Sequence, residues 1–170
     1  MKALLLLMFL SLTPPDCVVE LARTQLGVRE ATGRNDGEQV EEYLRATELG
    51  PGYAWCAAFV TWVHQGCGAD HPALGAWSPN WFTQRVIYHY GRLTYGQRGY
   101  ERPQPGDVFG IYFPSKRRIA HVGIIEAWPR GGRFITIEGN TNSAGSREGD
   151  GVYRKRRVKR QIEKVARWKR

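Results

Sequence analysis

The pattern of apolar residues changes near residue 105. Before it, apolar positions recur at helical spacing; after it, they come in short runs separated by turn residues. Val18, Val19, Leu21, Ala22 and Leu26 lie on one face of a predicted helix, with Asp16 as its N-cap and Gly27 as its stop. Glu38 to Glu48 reads as a second helix, with Val40, Tyr43 and Leu44 facing inward and glutamates outward; Leu49-Gly50-Pro51-Gly52 breaks it. A third helix, Cys56 to Gln65, is apolar nearly all round and must therefore be buried on most sides. Ser78-Pro79 opens a fourth predicted helix, which carries Trp81, Phe82, Val86 and Ile87 as far as Gly91.

After Pro105-Gly106-Asp107 the period shortens. Val108 to Phe113, Ile119 to Trp128 and Arg133 to Glu138 are β-rich runs separated by Lys116-Arg117-Arg118 and by Arg130-Gly131-Gly132. Such runs with short turns between them predict an antiparallel meander. A glycine-rich loop, Gly139 to Gly151, leads to one more strand from Val152 to Arg156, and the last ten residues fit strand or helix equally. Helices first and strands after is an α+β order. The 170 residues suffice for one domain with a real core. With 42% hydrophobic and 24% charged residues, a disordered chain is excluded.

Charge and cysteines sharpen this picture. The net charge of +9 is concentrated at the C-terminal end: Arg154 to Arg170 holds ten Lys/Arg against the single Glu163, and the rest of the chain balances. The three cysteines do not make a disulfide framework. Cys56 and Cys67 lie too far apart along one helix and its exit to bridge each other, so at least one thiol stays free, and Cys67 is expected to cap or pack. Met1-Lys2 precedes an unbroken apolar run from Ala3 to Leu10. That segment is like a secretory signal, lacks a small-x-small cleavage site, and is too short to span a bilayer.

Candidate chemistry centres on Cys56, where a loop turns into the buried helix. Unpaired N–H groups and the helix dipole favour a thiolate there. His121 opens one strand-like run, and Glu138 and Asn140 end the next. Alone, a buried cysteine is ordinarily a small hydrophobe and a strand histidine an ordinary core residue. Together, a cysteine at a helix start facing a sheet that carries histidine and a polar orienter is the set that nucleophilic acyl transfer needs. Tyr53, Trp55, Trp77 and Tyr112 are placed to line a substrate groove, whereas Trp81 has core spacing. His64, His71 and His89 have no partner motif. With no Cys-x-x-Cys or His-Glu-x-x-His sequence, no metal and no cofactor are expected.

Four segments in order carry a family resemblance: Tyr53-Ala54-Trp55-Cys56-Ala57-Ala58-Phe59-Val60, Pro105-Gly106-Asp107-Val108, Ala120-His121-Val122-Gly123-Ile124 and Ile137-Glu138-Gly139-Asn140-Thr141. They resemble the motifs of the CHAP family, cysteine- and histidine-dependent amidohydrolases/peptidases that cleave peptidoglycan on a papain-like core. The resemblance runs from about Val18 to Arg157 and implies N-terminal helices packed on an antiparallel sheet. It implies Cys56 as nucleophile and His121 as base, with Glu138 or Asn140 orienting the imidazole. The expected organisation is a signal-like segment at 1–15, a catalytic domain at 16–158 and a basic end at 159–170. The expected protein is an exported monomer, with a cytoplasmic phage-type lysin as the alternative. Its expected partner is peptidoglycan, with the basic end drawn to anionic wall polymers. A nucleic-acid-binding module and an inactive wall-binding protein are the rival readings. No recognition element accompanies the basic charge, so no specific nucleic acid is expected.

Overall fold

A computed structural model describes residues 14–92, 96–144 and 148–168; the signal-like segment before Pro14 lies outside the described residues. Three helices, α1 (Pro14–Thr24), α2 (Glu38–Arg45) and α3 (Cys56–Gly66), precede a six-stranded antiparallel sheet. Its strands are β1 (Val86–His89), β2 (Val108–Phe113), β3 (Arg118–Ala127), β4 (Arg133–Thr141), β5 (Gly151–Val158) and β6 (Lys164–Ala166), in the order β1-β6-β2-β3-β4-β5. The α+β class with helices packed on an antiparallel sheet is therefore the observed one. No described helix is long and apolar enough to cross a membrane.

The helices sit where their apolar residues require. α2 buries Val40, Tyr43 and Leu44 and turns its glutamates outward. α3 buries Cys56 to Thr61, Val63 and His64, because α1, α2, β3 and β4 all pack around it. Trp55, Phe59, Val122, Ile124 and Ile137 belong to one core between these helices and the sheet. A second core, with Phe109, Ile125, Phe134, Ile162 and Val165, adjoins it.

Two expectations need correction, and one open alternative is settled. The fourth helix is only a 3-10 turn, Ser78–Phe82; Arg85 then takes a left-handed φ of 59° and the chain enters β1. Val86-Ile87-Tyr88 is β-branched and aromatic, and it follows the strand preference of such residues over the helical period. The last ten residues, which fitted strand and helix equally, contribute a strand to the middle of the sheet: β6 lies between β1 and β2, with Val165 and Ala166 fully buried. Arg167 fixes this end, donating from Nε and Nη2 to the buried Asp107 at 2.9 and 2.8 Å. Trp168 is buried against Trp81 and donates to its carbonyl at 3.1 Å. Pro105-Gly106-Asp107 thus supplies the anchor for the end of the chain.

The second correction concerns Cys67, which caps α3 and bridges to Cys17 on α1. The two residues are 50 apart in sequence, and local spacing carries no sign of such a pairing. The bridge secures α1 against the C-terminal end of α3, while Arg23 of α1 donates to Glu126 of β3 at 2.6 Å. Arg154 of β5 reaches the same carboxylate at 2.7 and 2.8 Å. Replacing Cys17 by Ser should lower unfolding free energy by about 2–4 kcal/mol, through the lost restraint on the unfolded chain. Urea unfolding checks this, and reducing agent should destabilise the native protein to the same extent while leaving the variant unchanged.

Candidate active site

The site is built where the N-terminus of α3 meets β3 and β4. Cys56 is the first residue of α3, so the N–H groups of its first turn have no helical acceptor. Its sulfur is the one free thiol of the three cysteines, and the residue is only 5% exposed. Ser78 Oγ lies 3.7 Å from it. Ser78 heads the 3-10 turn after Trp77 and is buried. As the opening residue of a predicted helix, Ser78 carries no local sign of its contact with the thiol.

His121 is almost wholly buried on β3. Its Nε2 bonds Glu138 Oε2 at 2.8 Å. Nδ1 has no hydrogen-bond partner in the resting geometry, which leaves it as the ring nitrogen available to the thiol. Burial alone would depress the His121 pKa; the nearby Cys56 sulfur, with the hydrogen bond and charge of Glu138, outweighs it and lifts the value to about 9. Burial alone would likewise raise the Cys56 thiol. His121 first, then Ser78 and the backbone N–H of Val122, reverse that and bring it below the ordinary thiol range. Both shifts favour a thiolate–imidazolium pair, and the two groups titrate jointly.

Glu138 is fully buried and has three partners. Arg157 on β5 donates to both carboxylate oxygens at 2.8 and 2.5 Å, and Thr136 Oγ1 donates to Oε1 at 2.5 Å. Burial would raise its pKa, but Arg157 and His121 bring it down to about 2. Arg157 and Thr136 were missed at the sequence level. Thr136 shares a strand face with Glu138, a two-residue spacing that could have flagged it; Arg157 was hidden in a run of basic residues. Gly123 makes this packing possible, since a Cβ there would sit 2.8 Å from Glu138 Cγ and 2.8 Å from the Phe109 ring.

Asn140 does not reach His121. Register in β4 shifts between Glu138 and Thr141, and Asn140 has a left-handed φ of 53°. The two-residue alternation that would have put it beside Glu138 is broken there. Its side chain turns to the loops instead. Oδ1 accepts the Trp55 backbone N–H at 3.2 Å, and Nδ2 donates to Asn35 Oδ1 at 3.0 Å and to the Gly149 carbonyl at 3.1 Å. Asn140 therefore holds Trp55, the residue before Cys56.

Of the aromatic residues expected at a groove, Tyr53, Trp77 and Tyr112 are exposed. Trp55 is not: its ring packs on Tyr43 at 5.6 Å in the core, and Nε1 donates to Glu30 Oε1 at 2.9 Å. Trp77 lies 5.5 Å under the Arg118 guanidinium. The other histidines lie apart from Cys56. His64 Nδ1 donates to the Asp70 carbonyl at 2.8 Å, and burial presses its pKa to about 4. His89 pairs with Glu163 at 3.1 Å. Among the described residues, no group of three or more His, Cys, Asp or Glu is arranged to hold a metal.

The family model of the CHAP domain matches residues 48–140. The chain belongs to the CHAP family. CHAP domains are in general hydrolases that act on peptidoglycan, and the matched span contains Cys56, His121, Glu138 and Asn140. It stops short of β5 and β6, so Arg157 lies beyond it. No curated protein and no solved structure matches the chain.

Two outcomes follow from the electrostatics. The Cys56 thiolate signal in ultraviolet absorbance should persist below the ordinary thiol pKa in the native CHAP protein and move upward in His121→Ala. Glu138→Gln should reduce kcat by at least about 100-fold, the scale of a lost acid–base contribution. It should also shift the alkaline limb of the rate profile downward, because the imidazolium loses its anionic partner. An unshifted limb would contradict the orienting role.

Proposed function

We propose that the protein hydrolyses an amide bond of peptidoglycan through a Cys56 thioester. The observation that carries this reading is the pairing of a free thiol at the start of α3 with an imidazole fixed by a buried carboxylate, inside a CHAP domain. The thiolate attacks the amide carbonyl carbon. Charge moves to the carbonyl oxygen, which meets the free N–H groups at the helix start, led by that of Cys56. Collapse breaks the C–N bond as His121 Nδ1 gives its proton to the leaving nitrogen. Water, deprotonated by His121, then cleaves the thioester and restores the pair.

Ser78 supports the resting thiolate by donating to it, and the exposed rings of Tyr53, Trp77 and Tyr112 offer contact surface for the substrate. Export fits the chemistry of the Cys17–Cys67 bridge, since disulfides persist in oxidising compartments. The apolar segment before Pro14 fits it as well.

Digestion of purified sacculi with native protein and with Cys56→Ala, followed by mass analysis, tests the reading. Native enzyme should release fragments with a new amine and a new carboxyl at one amide bond, and Cys56→Ala should release none. The rate should fall on the alkaline side near pH 9, where His121 loses its proton, and on the acid side as the thiolate is protonated. Release by Cys56→Ala, or a flat profile, would refute it.

A further inference from the structure

The basic residues near the end of the chain divide into two groups. Arg154 is tied to Glu126, Arg157 to Glu138, and Arg167 to Asp107 and Glu101. Lys155 donates to the carbonyls of Asn142 and Ser143, and Lys159 to that of Pro129. Arg156, Arg160 and Lys164 remain, and among the described residues none of them has a side-chain hydrogen bond or ion pair; Lys164 is half-buried and lines a different hollow beside Glu163, whereas Arg156 and Arg160 are exposed. Arg130, in the turn between β3 and β4, and Arg133, at the start of β4, are in the same condition.

These four arginines line one groove of about 800 Å³. Arg133 is paired opposite Val158 and Ile135 opposite Arg156, so Arg133 and Arg156 share one face of the sheet with the apolar Ile135 and Val158, while Arg130 from the β3–β4 turn and Arg160 from the 3-10 turn after β5 line the same groove. No acidic residue lines the groove. Four unneutralised forks around an apolar floor repel one another, and an anionic ligand relieves that repulsion. Guanidinium groups fit phosphate bidentately.

We infer that this groove binds a linear phosphodiester polymer attached to the wall and so holds the enzyme on its substrate. The inference rests on the proposed wall hydrolysis. It relocates the attraction from the charge of the chain end as a whole to four residues, two on the strands β4 and β5 and two in the turns beside them. Arg133 begins β4 five residues before Glu138, about 17 Å at strand rise, so an occupied groove leaves Cys56 free. Nucleic acid fits less well. The adjoining hollow shares Pro129, Arg130 and Gly131, but its aromatic residues are already engaged. Tyr88 packs edge-on against Tyr100 and Trp128, and Lys159 covers Trp128 at 4.4 Å, so their faces are not open for base stacking.

The test uses the full chain carrying Cys56→Ala, titrated with soluble poly(glycerol phosphate). By the counterion-release rule for single strands, four contacts predict about 50-fold weaker binding between about 50 and about 200 mM salt. With Arg133→Ser and Arg156→Ser added, two contacts remain and the loss should fall to roughly 7-fold. Both positions are exposed, and an unchanged melting curve confirms that the variant is folded. In an otherwise native chain, the same two substitutions should slow cleavage of polymer-bearing sacculi and leave cleavage of polymer-stripped sacculi unchanged. An identical salt response in the variant would overturn the assignment. So would tighter, equally arginine-dependent binding of a single-stranded oligonucleotide with the same number of phosphates. Polymer binding without wall cleavage by native enzyme would overturn the proposed activity and support the groove; wall cleavage without polymer binding would overturn the groove alone.

Discussion

Everything at the active site depends on a carboxylate that has been taken out of water. A buried, unpaired Glu138 would take up a proton, and a neutral acid would not hold an imidazolium. Arg157 and Thr136 prevent this by donating to it from β5 and from β4 itself. The ion pair is valuable here for what it specifies. Hydrophobic residues of similar volume could pack the same space without loss of stability, but they would leave His121 with no fixed orientation. Nε2 is committed to Glu138, so Nδ1 faces the chemistry, and the proton inventory of the site follows from that one bond.

The rest of the strand crossing is shaped around this carboxylate. Gly123 removes a side chain where Glu138 needs room, and Gly139 does the same for α3, since a Cβ there would meet Trp55 at 2.7 Å and Phe59 at 2.8 Å. The next residue, Asn140, leaves the strand conformation and gathers three loops with one amide group. Glu138-Gly139-Asn140 is thus a sequence of separate duties: one residue for the imidazole, one for close helix approach, one for the loop that delivers the thiol. Ser78 adds a further neighbour of the sulfur, from a turn 22 residues along the sequence.

Much of this was legible in the chain. Helical and alternating periods located α1, α2, α3 and the strands β2 to β5, because in those segments apolar pattern and local propensity agree. They disagree around Val86, where a helical spacing of large residues concealed a strand, and at Lys164–Ala166, where three residues between Glu163 and Arg167 were too few to show a period. Cys56 was legible because it opens a strong apolar helix, and His121 and Glu138 because each is an ionisable residue flanked by apolar strand residues. Asn140 was misjudged as an imidazole partner because alternation assumes an unbroken strand, and the register shift after Glu138 leaves no mark in residue type. Arg157, Ser78 and the Cys17–Cys67 bridge are long-range pairings, fixed by topology alone, and a local reading has no access to them.

The length of α3 has a consequence for how the chain matures. Cys67 closes one end of the helix and Cys56 opens the other, about 16 Å away at helical rise. Two of the possible cysteine pairings would consume the Cys56 thiol. Once α3 has formed, one of them is out of reach and burial of Cys56 shields it from the other, so an oxidant seals Cys17 to Cys67 and leaves the reactive sulfur reduced. The helix acts as a spacer that keeps bridged and unbridged sulfur apart, so that a disulfide and a free thiol coexist within one small domain.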